Sequence, residues 1–156
     1  RVRSSAASDV YKRQKILGYD IFADEEYCEK EGICLLSPQE IFKQADIITL
    51  HVPGNADGTH FITQQELELM KPEAVLINTA RASLIDETAM VQALRQKRIY
   101  GYGTDVFDGE PHMNPEFIGL NNVVCSPHTA AVSVEAVNTM SHAAVEHLME
   151  YFGVTK

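Results

Sequence analysis

The fold is decided by three segments in the back half of the chain: Asn78-Thr79-Ala80-Arg81, Asp105-Val106-Phe107-Asp108-Gly109-Glu110-Pro111 and Ser126-Pro127-His128-Thr129-Ala130. Each segment follows a short apolar run that is typical of a buried strand, and each places a polar side chain where that run stops. In open α/β sheets, ligands bind in the crevice beyond the carboxyl ends of the strands. We therefore expect an arginine, a carboxylate and a histidine to meet at one edge of a sheet.

The rest of the chain alternates between strand and helix patterns. Capping-box patterns at Ser37-Pro38-Gln39-Glu40 and Thr63-Gln64-Gln65-Glu66 mark the starts of two helices. Such alternation, with short polar turns, indicates a mostly parallel sheet covered by helices on both faces. Strands are predicted at 15–20, 33–36, 46–50, 74–78, 99–106 and 122–125, and helices at 23–31, 37–45, 63–71, 86–97 and from 133 onward.

Composition and charge restrict the class of protein. The 156 residues are 45% hydrophobic and 22% charged, as in an ordinary globular domain. The net charge of −9 opposes a general affinity for nucleic acid or anionic membranes, because that affinity depends on basic patches. No apolar run approaches the ~20 residues of a membrane-spanning helix, so we expect a cytoplasmic protein. The three cysteines and six histidines lack the spacings of known metal sites, and we expect no metal.

Residues 1–14 differ in composition from the rest of the chain. They contain four of the 13 basic residues, only one acidic residue and no periodic apolar pattern. We interpret them as a non-native or disordered leader.

Asp20 and Arg81 are candidate binding residues, and each has a structural alternative. Asp20 ends a predicted strand, where a carboxylate can accept hydrogen bonds from the ribose hydroxyls of a dinucleotide; an aspartate there is also a common turn residue. The confirming G-x-G-x-x-G loop is not found in this sequence. Arg81 can clamp a carboxylate and a neighbouring carbonyl through two parallel hydrogen bonds, although an arginine after a strand, taken alone, is more often part of a surface ion pair.

Glu110 and His128 are candidates for acid/base chemistry. They lie 18 residues apart, on turns that follow successive strands, so the fold can bring them together. A carboxylate beside an imidazole fixes the imidazole tautomer, but the spacing is equally compatible with a purely structural pair. Asp105, where a strand ends, can accept a hydrogen bond from an amide-bearing ligand or simply terminate the strand.

Taken together, these segments resemble the D-isomer-specific 2-hydroxyacid dehydrogenase family. The resemblance runs from Lys15 to about Phe152. The motifs that carry it are Tyr19-Asp20, Ala45-Asp46-Ile47-Ile48-Thr49-Leu50-His51-Val52-Pro53, Met70-Lys71-Pro72, Ile77-Asn78-Thr79-Ala80-Arg81, Leu84-Ile85-Asp86-Glu87, Gly103-Thr104-Asp105-Val106-Phe107, Glu110-Pro111 and Ser126-Pro127-His128-Thr129-Ala130. One departure is Ala82, which stands where the family usually has a glycine after the arginine.

The resemblance implies an incomplete Rossmann-type, doubly wound parallel sheet that lacks its first strand and its glycine-rich loop. Residues 15–132 would be a partial NAD-binding domain, and the helix in 133–156 would cross to a substrate domain. Arg81 would bind the substrate, His128 would exchange its proton and Glu110 would support His128. The residues implied to contact the cofactor are Asp20, Val52, Pro53, Thr79, Ala80 and Asp105.

The function implied is hydride transfer between NAD(H) and a small 2-hydroxy or 2-oxo acid, with weak or absent activity in the chain alone. A homodimer of the longer parent protein is the usual state in the family. The alternative is a non-catalytic, dinucleotide-sensing interaction protein, similar to the transcriptional corepressors that share this fold. The presence of Arg81, Glu110 and His128 together favours the enzyme but does not exclude the alternative, since those corepressors can keep the same residues.

Overall fold

A computed structural model of the chain describes residues 14–55, 57–129 and 131–154. Residues 1–13 of the expected leader lie outside this range, so that interpretation stays a prediction, as do the domain boundaries. Six strands follow the predicted order: β1 (Ile16–Gly18), β2 (Ile33–Leu35), β3 (Ile47–Leu50), β4 (Val75–Asn78), β5 (Gly101–Thr104) and β6 (Val123–Cys125). The helices are α1 (Glu25–Lys30), α2 (Pro38–Gln44), α3 (Gln64–Leu69), α4 (Glu87–Arg95) and α5 (Val134–Tyr151), with a 3₁₀ turn at Ala82–Leu84.

Both predicted capping boxes are confirmed. The Ser37 backbone N–H donates to the Glu40 carboxylate at 3.1 Å, and the Thr63 N–H donates to the Glu66 carboxylate at 2.9 Å. In each box the hydroxyl of the capping residue also accepts from a backbone N–H of the first turn. These bonds satisfy N–H groups that have no partner within the helix, and so fix where α2 and α3 begin.

The strands form two parallel sheets rather than one. Strand β1 pairs with β2, and a separate four-stranded sheet has the order β3-β4-β5-β6. In the Rossmann strand order 3-2-1-4-5-6, the first strand lies between the second and the fourth. The part of the chain that the structure describes has no strand at that place, and the sheet is divided there.

One face of the four-stranded sheet shares a core with three of the helices. Ile48, Leu50, Leu76 and Tyr102 point into a core shared with α2, α3 and α4. On the other face Ile47 is 59% exposed and Val124 is 75% exposed. Alternate residues of a strand point to opposite faces, so Ile47 and Val124 lie on the face opposite to Ile48 and Leu76.

Helix α5 has no buried residue. Its apolar side chains include Val134, Met140 and Leu148, which are 75%, 55% and 58% exposed. None of the helices in the described ranges is long and apolar enough to cross a bilayer.

Candidate functional site

The turn that carries Arg81 is held by the last residue of β4. Asn78 is fully buried; its side-chain Nδ2 donates to the Arg81 carbonyl at 2.9 Å, and its Oδ1 accepts from the Ala80 N–H at 3.0 Å. The two bonds bracket the turn and set where Arg81 leaves the sheet. Sequence reasoning treated Asn78 only as the end of a strand, although a buried amide before a turn is a signal for such bracketing.

Ala82 fits this turn without strain. It opens the 3₁₀ turn, and it is not among the described non-glycine residues with positive φ, which are Lys97 and His128. The side chain of Arg81 is exposed, and its Nη1 donates to the Ala80 carbonyl at 2.6 Å.

An open cleft of about 370 Å³ lies beyond the carboxyl ends of β3 and β4. The structure thus brings together five of the predicted residues and adds His51, whose Nε2 lies 2.9 Å from Thr49 Oγ1. Gly54 comes directly after Pro53 in the chain, and a Cβ added to it would lie 2.5 Å from Ser83 Oγ. A residue without a side chain therefore lets the turn after β3 approach the turn after β4. The cleft is lined by His51, Val52, Pro53, Thr79, Ala80 and Arg81.

Glu110 and His128 form the contact that their spacing allowed. His128 Nδ1 lies 2.7 Å from Glu110 Oε2, and Glu110 Oε1 accepts from the Phe107 N–H at 3.0 Å. The hydrogen bond from His128, and then the one from Phe107, hold the pKa of Glu110 below its ordinary value. The side chain of His128 is 55% exposed and that of Glu110 is 35% exposed, so a ligand can reach the pair.

Asp105 lies directly after β5 and is 3% exposed. Its Oδ1 accepts from Ser126 Oγ at 2.6 Å and from the Thr129 N–H at 2.9 Å. The sequence singled out Asp105 as a cofactor contact and missed Ser126 and Thr129. Those two bonds join positions more than 20 residues apart, so no local sequence pattern predicts them.

Asp20 lies apart from the residues that line the cleft, after β1 in the two-stranded sheet. It is exposed, and its Oδ1 accepts from the Phe22 N–H at 2.8 Å, which is the turn geometry named as the alternative. Its second oxygen has no hydrogen bond to the described residues. No group of three or more His, Cys, Asp or Glu side chains suited to a metal ion occurs within the described ranges.

Comparison with known proteins gives consistent matches. The family model for the D-isomer specific 2-hydroxyacid dehydrogenase NAD binding domain matches residues 7–130. A glyoxylate reductase from Thermococcus litoralis is 37% identical over 137 residues, which cover 88% of this chain and 41% of the relative.

Two solved structures resemble the fold. The NAD-complexed D-isomer specific 2-hydroxyacid dehydrogenase from Lactobacillus delbrueckii ssp. bulgaricus has a TM-score of 0.83 at 26% identity, over 97% of this chain and 50% of that one. An acyclic imino acid reductase in complex with NADPH and D-Arg has a TM-score of 0.80 at 38% identity, over 95% of this chain and 46% of that one. The chain spans about half the length, or less, of these proteins.

Proposed function

The chain belongs to the D-isomer specific 2-hydroxyacid dehydrogenase family, whose NAD-binding domain it matches over residues 7–130, and on that premise we propose that the whole protein interconverts a D-2-hydroxy acid and a 2-oxo acid. The observation that carries the proposal is the 2.7 Å contact between His128 and Glu110, beyond the carboxyl ends of β5 and β6. Residues at this edge of a parallel sheet are placed for ligand chemistry.

The residues of the cleft fit a nicotinamide dinucleotide. Small and apolar groups from Val52, Pro53, Thr79 and Ala80 form its walls. The exposed carboxylate of Asp20 suits the two ribose hydroxyls and repels a 2′-phosphate, which favours NAD over NADP. When bound, NAD(H) exchanges a hydride with the carbon that bears the substrate oxygen.

His128 is the proposed acid/base group. In the neutral ring, Nδ1–H donates to the Glu110 carboxylate, and Nε2 keeps a lone pair that takes the hydroxyl proton during oxidation. In the protonated ring, both nitrogens carry a proton, and Nε2 returns one to the carbonyl oxygen during reduction. Glu110 supports both forms, because a carboxylate accepts from Nδ1–H in either one and stabilises the positive ring.

Arg81 is the proposed substrate-binding group. A guanidinium offers several N–H donors in one plane, and these match a carboxylate with an adjacent carbonyl oxygen. Its position in the cleft supports this role, since the Asn78 side chain fixes the turn from which Arg81 extends. The permanent positive charge favours a 2-oxo acid over a neutral carbonyl compound.

The whole protein is further proposed to be a cytoplasmic homodimer that acts on small acids. For the 156-residue chain alone we expect weak or absent turnover. Its sequence has no G-x-G-x-x-G loop, so the pyrophosphate lacks the backbone N–H groups that usually bind it.

The test is a reductase assay of the whole protein with NADH and a panel of 2-oxo acids that includes glyoxylate and pyruvate. We expect turnover that is abolished by His128→Gln, with NADH binding retained. NADH binding without turnover of any acid in the panel would contradict the proposal and favour the dinucleotide-sensing alternative. Repeating the assay with NADPH tests the cofactor preference that we assign to Asp20.

A further inference from the structure

The loop that carries His128 has an unusual backbone conformation. His128 has φ of 55°, in the left-handed region that residues with a Cβ rarely adopt. Its N–H donates to the Ser126 carbonyl at 3.0 Å, which closes a tight turn. A histidine keeps such a conformation only where the surrounding contacts impose it.

Those contacts come from the end of β5. Asp105 Oδ1 accepts from Ser126 Oγ at 2.6 Å and from the Thr129 N–H at 2.9 Å, so a single carboxylate oxygen binds the loop on both sides of His128. The Ser126 N–H also donates to the Thr104 carbonyl at 3.0 Å. The loop is thereby joined by three hydrogen bonds to Thr104, the last residue of β5, and to Asp105, which follows it.

Asp105 is held in place by its burial and by the strand that it follows. It is 3% exposed and follows β5, which is paired with β4 on one side and β6 on the other. Glu110 lies five residues further along the same segment and is held by the Phe107 N–H at 3.0 Å. The two partners in the His128–Glu110 contact are therefore both positioned from the end of the same strand.

We propose that Ser126 is a positioning residue: its hydroxyl, bound to Asp105, holds His128 in the left-handed conformation and so keeps its ring nitrogen Nδ1 against Glu110. The effect of Ser126 on catalysis rests on the proposed function, but its effect on the tautomer of the His128 ring does not. We call the hydrogen bond from Ser126 Oγ to Asp105 Oδ1 the anchor. When the anchor is present, the neutral ring carries its proton on Nδ1. When the anchor is lost, the ring leaves Glu110 and adopts the mixture of tautomers of a solvated histidine.

Nitrogen NMR of the histidine side chains tests this in the 156-residue chain without any assay of activity. The His128 signals are identified by their loss in His128→Gln. We expect the Nδ1–H tautomer in the wild type and in Ser126→Thr, which keeps the hydroxyl, and a mixture in Ser126→Ala. A matched control is Thr63→Ala, because it also removes a hydroxyl that donates to a carboxylate at 2.6 Å, but in the capping box of α3. It should leave His128 unchanged.

An Nδ1–H signal that persists in Ser126→Ala, or that is missing from the wild type, would overturn the proposal. Should Ser126→Ala fail to fold, Asp105→Asn decides instead. The asparagine keeps an oxygen that accepts from both Ser126 and Thr129, so His128 should keep its Nδ1 proton. Loss of that proton in Asp105→Asn would mean that the anchor is not what holds the ring.

Kinetics of the whole protein supply the second measurement. Ser126→Ala should lower kcat about 10-fold or more with little change in KM for NADH, because a small misplacement of a reacting group slows chemistry more than binding. Ser126→Thr should restore most of kcat. Equal kcat in Ser126→Ala and the wild type would count against the positioning role. Absence of turnover in the wild type would contradict the proposed function instead, and the NMR result would still decide the role of Ser126.

Discussion

Replacing Glu110 with glutamine changes which atom faces His128. The Phe107 N–H needs an oxygen acceptor at 3.0 Å, so the glutamine keeps its oxygen there and turns its NH₂ group toward His128 Nδ1. Two donors cannot form a hydrogen bond, and the neutral ring must move its proton to Nε2 to accept from the amide. Nε2 then has no lone pair with which to take a substrate proton.

The expected magnitude follows from this change of tautomer and from the exposure of the pair. General acid/base catalysis contributes about 10²- to 10⁴-fold to rates. His128 is 55% exposed, so water can partly replace Glu110, and we place the loss of kcat at the lower end, about 10²-fold. KM for NADH should change little, since Glu110 does not line the cleft.

The assay is steady-state reduction of a 2-oxo acid by the whole protein, for the wild type, Glu110→Gln and a control, Glu116→Gln. Glu116 also forms an ion pair, with Arg95 at 3.1 Å, and is similarly exposed, but it lies outside the site. Full activity in Glu110→Gln, or an equal loss in both variants, would refute the reasoning about His128.

Acid pH provides a second arm of the same prediction. The pKa of Glu110 is lowered from its ordinary value of 4.5, chiefly by the bond from His128. The carboxylate therefore contributes stability above its pKa in the unfolded chain, and that contribution is lost as pH falls through the lower pKa of the folded state. In urea unfolding, the free energy of unfolding should be higher for the wild-type chain than for Glu110→Gln at neutral pH. The two values should converge in acid.

Three further predictions concern binding and the core. Arg81→Lys should raise KM for the 2-oxo acid about 10- to 100-fold in steady-state assays, because a hydrogen bond to a charged group contributes about 1.5–3 kcal/mol and the paired geometry is lost. Asp20→Ser should lower the preference for NADH over NADPH about tenfold or more in calorimetric titrations of the whole protein, since a like-charge contact with the 2′-phosphate is removed. Met90→Ala should lower the free energy of unfolding by about 2–5 kcal/mol, because Met90 is fully buried, whereas Thr88→Ala on the exposed side of α4 should have little effect. Unchanged values for Arg81→Lys, Asp20→Ser or Met90→Ala would count against the assigned contact.

Local patterns in the sequence determined the elements of the fold. A capping box links residues three positions apart, so Ser37 with Glu40 and Thr63 with Glu66 could be found from the sequence alone. The strands were predicted from apolar runs bounded by polar turns, and all six were confirmed with shorter ends. The predicted spans were longer by one or two residues at most ends, although flanking residues still bond to the neighbouring strand, as the Asp46 carbonyl does with the Val75 N–H at 2.9 Å.

Contacts between distant positions were not determined in this way. Spacing allowed Glu110 and His128 to meet, but only the folded chain gives the distance of 2.7 Å. The role of Asp105 in holding the His128 loop depends on β5 and β6 being neighbours, and 21 residues separate it from Ser126. The sequence pattern does not predict the bond between Ser126 and Asp105. Several other polar residues at the end of β5 would have led to the same prediction of a strand followed by a turn.

Residue order alone therefore determines which chemical groups follow which strands, since strand ends and turns are set by residues within a few positions of each other. Tertiary structure decided which of those groups touch. Pairing of β3 through β6 aligns their carboxyl ends, and the buried Asn78 and Asp105 then hold the turns that present Arg81 and His128. It also decided which side chains of β3 and β4 are buried, because α2, α3 and α4 share a core with one face of the sheet while Ile47 on the other face stays 59% exposed.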